Sequence, residues 1–137
     1  MHLLSATPGT ISDGEEAIDL DQPPGDIVIL TVADSDLACF AAAAARLPDD
    51  APSVRLANLL QLKHPYSVDL YVEKVIAKAR FVCVILLGGK SYWPYGVDEI
   101  AQVARERGIA FAAIADGREG DPALDLASTC LLYTSPS

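Results

Sequence analysis

Phe81 to Leu87 (FVCVILL) is an unbroken apolar run that stops at Gly88-Gly89. A strand with one wet face alternates apolar and polar residues; this run does not alternate, so both of its faces must be covered. Strands of that kind belong to parallel sheets, whose crossovers lay helices on either side. Ile27 to Val32 (IVILTV) is a second such run. Helical patterns lie between and after the two, so the chain alternates strand and helix. That order predicts an α/β fold: an open, mostly parallel sheet with helices on both faces, flavodoxin-like or Rossmann-like.

The remaining elements follow from local signals. His2 to Ala6 reads as a first strand ending at the turn Thr7-Pro8-Gly9. Asp13 to Asp21 reads as a solvated acidic turn or short helix, stopped by Pro23-Pro24-Gly25. Asp34-Ser35-Asp36 supplies N-cap chemistry for a helix over Leu37 to Leu47. That helix is almost all alanine and leucine, so it is expected to be largely buried. Val54 to Leu60 is an apolar run of either type. Pro65-Tyr66-Ser67 opens the next helix with Ser67 as N-cap, and Val68, Tyr71, Val72, Val75, Ile76 and Ala79 share one face at helical spacing. A third helix is expected over Val97 to Arg107, closed by Gly108. Ile109 to Ala115 is a last strand, followed by a polar turn over Asp116 to Asp121.

This pattern makes residues 1–129 one α/β domain, incomplete at its C-terminus. Residues 130–137 are set apart as a tail that does not continue the pattern, on a chain cut short. Hydrophobic residues make up 51% of the 137, enough for a core. The formal net charge of −9 works against the phosphate backbone of nucleic acid and against an anionic membrane surface. Cys39, Cys83 and Cys130 are few, odd in number and far apart, which supports neither a zinc ribbon nor a disulfide framework. With no signal peptide and no apolar run near the roughly 20 residues of a membrane span, a cytoplasmic location is expected.

Chemistry-bearing residues concentrate in the loop Gly88 to Gly96 (GGKSYWPYG), which holds the only tryptophan. Ligands of open α/β sheets bind outside the carboxyl ends of the strands, and this loop lies at such an end. Gly88 and Gly89 permit a sharp turn or close backbone approach. Tyr92, Trp93 and Tyr95 can stack on a flat ligand, cover the core or dock a neighbouring domain. A phosphate loop is excluded, because Val84 stands where a GxxxxGK[ST] motif needs its first glycine. His64 and His2 read as capping or surface histidines rather than metal ligands. Asp34, Ser35 and Asp36 read as caps. No catalytic residue and no metal ligand emerges.

Four segments in order resemble a known family: MHLL with Thr7-Pro8-Gly9, PPGDIVILTVADSDLA (Pro23 to Ala38), RLANLLQLKHPYSVDLYVEK (Arg55 to Lys74) and LLGGKSYWPYG (Leu86 to Gly96). Together they are similar to the N-terminal part of the large subunits of cobaltochelatase (CobN) and magnesium chelatase. The resemblance implies part of an enzyme that inserts cobalt(II), its substrate metal, into the corrin hydrogenobyrinic acid a,c-diamide during aerobic cobalamin biosynthesis. It implies an AAA+ ATPase subunit that hydrolyses the ATP, and a third chelatase subunit. A magnesium chelatase large subunit, or a non-enzymatic α/β binding module, are the alternatives. No catalytic residue carries over, and the fragment alone is expected to be inactive.

Overall fold

The computed structural model describes residues 17–116 and 120–129. Four strands form one sheet: β1 (Ile27–Thr31), β2 (Val54–Asn58), β3 (Phe81–Leu87) and β4 (Ala110–Asp116). All neighbours are parallel, in the order β2-β1-β3-β4. This matches the start of the flavodoxin-like doubly wound order. The helices are α1 (Asp34–Ala45), α2 (Pro65–Lys74), α3 (Pro94–Arg107) and α4 (Pro122–Ala127). The expected strand His2–Ala6, the turn after it, His2, Asp13 to Glu16 and the tail from Cys130 lie outside the described residues.

The sheet's two faces are unequal. Val28, Leu30, Val82, Val84, Leu86, Phe111 and Ala113 pack with α2, α3 and α4 into the main core. Full burial of a large apolar side chain such as Phe111 or Leu30 contributes about 1.5–3 kcal/mol each. The other face carries a smaller cluster of Ala44, Val54 and Leu56, with Ile27, Ile29, Leu37, Phe40 and Ala41 half-buried against it. Helix α1 packs there, on β1 and β2.

Several expectations need correction, among them the start of α3, which lies at Pro94 rather than Val97. Helix α1 is not largely buried: Ala44 is its one buried residue, and Ala38, Cys39, Ala42, Ala43 and Ala45 are exposed. It also starts at Asp34 rather than after Asp36, with Ala33 as N-cap and no side-chain capping bond. Ser67 is not the N-cap of α2. His64 is, its Nδ1 accepting from the Tyr66 amide (3.1 Å), and Pro65 takes the first helical position, where a missing N–H costs nothing. Ser67 is instead buried, and its Oγ accepts from the Ile18 amide (2.6 Å).

The segment ahead of β1 acts as a strap. Its Asp19 pairs with Lys74 of α2, which holds the Asp19 carboxyl below its usual range. The Tyr71 hydroxyl donates to Gln22 Oε1 (2.6 Å), and Gln22 Nε2 donates to the Leu56 carbonyl (3.0 Å). Burial pushes the Tyr71 phenol well above its usual range. At the opposite edge, Ser128 and Thr129 clasp β4. The Thr129 hydroxyl accepts from the Phe111 amide (2.6 Å) and donates to the Ile109 carbonyl (2.8 Å). The Thr129 amide donates to the Phe111 carbonyl (2.8 Å), and Ser128 Oγ accepts from Ala113 (2.9 Å).

Candidate functional site at the carboxyl edge of the sheet

Because every strand is parallel, all carboxyl ends meet at one edge. The chain leaves β1 for α1 on one face and leaves β3 for α3 on the other. The topological switch therefore lies between these neighbouring strands, bounded by Val32-Ala33-Asp34 and by Gly88-Gly89. Asn58, at the end of β2, ties this edge together: its Nδ2 donates to Asp34 Oδ1 (3.1 Å), while its Oδ1 accepts from the Leu60 amide (2.9 Å).

Gly88 and Gly89 turn the chain through positive φ, at 83° and 116°. The two differ in their surroundings. A Cβ on Gly88 would meet nothing within 4 Å, whereas one on Gly89 would come within 2.6 Å of Asp121 Oδ2. That oxygen accepts the Lys90 amide (2.7 Å), and Asp121 Oδ1 accepts Ala123 N–H (3.0 Å) as the N-cap of α4. These two backbone bonds hold the Asp121 carboxyl below its usual range. The Lys90 ammonium pairs with Asp98 of α3 (2.7 Å).

The three aromatic residues have separate placements. Trp93 is 5% exposed and belongs to the main core. Its indole N–H donates to the Leu62 carbonyl (2.8 Å), and its ring lies against Gly96, where a Cβ would fall 2.2 Å from the ring atoms. Tyr92 is half-buried, with the Lys63 ammonium 5.9 Å from its ring centroid, within cation–π range. Tyr95 is 40% exposed and donates to Asp69 Oδ1 (2.6 Å). That bond, with burial and the charge of Glu99 adding to it, pushes the Tyr95 phenol up to about 12. The structure thus gathers Gly88, Gly89, Tyr92 and Trp93 at the carboxyl edge, with Trp93 facing inward, and sets Tyr95 against α2.

Sequence reasoning passed over Asp121, Asn58 and Asp69. Asp121 had a readable signal, because Asp followed by Pro122 is an N-cap before a first-turn proline. Asn58 and Asp69 bond across 24 and 26 residues, which no local pattern marks. Among the described residues, no group of three or more His, Cys, Asp or Glu could hold a metal ion. No described helix is long and apolar enough to cross a membrane.

No family model matches the chain. It is 45% identical over 124 residues to the aerobic cobaltochelatase subunit CobN of Pseudomonas aeruginosa, and 43% identical over 129 residues to that of a Sinorhizobium species. These matches take in 90% and 94% of the chain but 10% of each relative, so the chain spans about a tenth of their length. The catalytic subunit of cobaltochelatase from Mycobacterium tuberculosis shares the fold over 80% of the chain and 8% of its own, with a TM-score of 0.56 and 24% identity. By the extent and identity of these matches, nine-tenths of the chain is similar to about a tenth of the CobN subunit of aerobic cobaltochelatases.

Proposed function

We propose that this chain is the N-terminal α/β domain of the large subunit of an ATP-dependent cobaltochelatase, which inserts cobalt(II) into hydrogenobyrinic acid a,c-diamide. The observation that carries the reading is the identity of 45% and 43% across nine-tenths of the chain with two CobN subunits. In this reading the full-length subunit holds the corrin, and cobalt is the substrate metal. A partner AAA+ subunit hydrolyses ATP, and a third subunit completes the complex in the cytoplasm.

The domain's own part is to present the carboxyl edge of its sheet. Trp93 is committed to the core and anchors the loop from beneath, so ring stacking on a ligand falls to Tyr92 rather than to the indole. Gly88 and Tyr92, with Tyr95 beside α2, form the surface offered to the corrin or to the next domain of the subunit, while Gly89 is buried against Asp121 and sets the turn behind it. Docking is favoured over corrin binding, because a chain of net charge −9 is a poor platform for a ring that carries carboxylates.

The test is cobalt incorporation by the full-length parent with its partner subunits and ATP, beside the 137-residue chain in its place. Incorporation with the parent and none with the chain is expected. Magnesium insertion into a porphyrin, with no use of corrin, would transfer the parent to the magnesium chelatase branch. Neither activity would leave the binding-module reading.

A further inference from the structure

The face of the sheet opposite the main core has one described helix, α1, and that helix lies over β1 and β2. Beside it runs an apolar groove of about 180 Å³, lined by Ile27, Ile29, Phe40, Ala43, Leu47 and Val54. Ala43 and Leu47 are exposed there, and Ile27, Ile29 and Phe40 are only half-buried. The strand register carries the same face onward: Ile27 lies beside Phe81 and Phe81 beside Ala110, while Ile85 lies beside Ile114. Phe81, Ala110, Ile85 and Ile114 are half-buried too. Nor does the outward side of α1 carry the charge of a solvated helix, since Leu37 to Ala45 contains no ionised side chain.

We infer that this groove and the adjoining side of α1 receive an apolar helix from the remainder of the CobN-type subunit, laid beside α1 over the half-covered face. The inference rests on the proposed function, since it takes its occupant from the parent subunit. Three observations select that occupant. The relatives are about ten times as long as the stretch they share with the chain, so most of such a subunit lies outside it. The groove's lining offers no charge to an ionic partner. The sheet face already has a helix as its first cover, and a second helix beside it is the ordinary way to complete a layer of an α/β fold.

Cys39 reports on the surface without any engineering. It is exposed on α1, one turn before the groove-lining Ala43 and on the same side of the helix. In the full-length parent, N-ethylmaleimide alkylation of Cys39 is followed by peptide mass mapping, native and in denaturant, with buried Cys83 as internal reference. Native alkylation is expected to be slower by on the order of tenfold or more, as covered thiols are. Ala43→Glu in the parent should restore fast alkylation by placing a charge in the groove. Native and denatured rates within about twofold of each other would overturn the proposal. Protection lost on dilution would also overturn it, since a second copy would then be the occupant. The labelling needs no cobalt, ATP or corrin, so its failure is distinguishable from failure of the chelatase reading.

Discussion

Gly96 carries no side chain because the Trp93 indole fills the place where one would go. A Cβ there would lie 2.2 Å from the ring, and the ring cannot withdraw without giving up its bond to Leu62. Gly96→Ala is therefore expected to destabilise by about 1–3 kcal/mol, the usual cost of overpacking. Chemical denaturation measures it, and pairing it with Trp93→Leu should recover most of that overpacking loss if the clash is the cause. The buried indole should also be quenched weakly by acrylamide in the folded chain. Tyr95 offers a pH signature. Its neutral hydroxyl donates to Asp69, and its pKa is raised to about 12. The folded value lies above the unfolded one, so this bond's contribution is complete below the unfolded pKa of about 10 and is lost as pH rises through the folded value. Asp69→Ala should bring the Tyr95 titration back towards that unperturbed value, read by NMR of the tyrosine ring.

At the scale of elements, Asp121 joins the turn after β3 to the start of α4. Asp121→Ala is expected to speed hydrogen exchange at the Lys90 and Ala123 amides while leaving β1 protected. Its carboxyl is held low by those amides, so this tie is present above the unfolded carboxylate pKa and is lost as pH falls through the lower, folded one. Strands β1 and β3 were legible in the sequence because continuous β-branched runs have few other homes, and α3 because Gly108 adopts the left-handed conformation that closes a helix. Helix α1 misled for a physical reason. An alanine-rich composition says that a helix can be buried on any side; what packs against it is decided by parts of the molecule far away in sequence. The start of α2 misled because His64 competes with Ser67 for the cap, and Ser67 is drawn inward by the Ile18 amide. The loop's aromatic density was visible, but whether a ring turns inward or outward depends on the glycine one helical turn on and on a carbonyl 31 residues away.

At the scale of the molecule, the two faces of the sheet divide the work. The face under α2 and α3 supplies the stability, and the other supplies contact surface. Substitutions at Val84 or Phe111, both fully buried, are expected to cost about 2–5 kcal/mol on truncation to alanine. Ala43→Glu, at an exposed position on α1, should change the stability of the chain itself by less than about 0.5 kcal/mol. Thermal unfolding of the chain carrying either substitution checks the contrast. The Ser128–Thr129 clasp bears on how the domain can join anything larger. The Phe111 and Ala113 amides and the Phe111 carbonyl of β4, with the Ile109 carbonyl just before it, are already engaged by this clasp. Those groups are not free to pair with a stranger's strand, which narrows a route to fibrillar self-association along that part of the edge. At that end of the sheet, layering upon the faces is the easier mode of joining a neighbour, one in which side-chain shape rather than backbone pairing makes the choice.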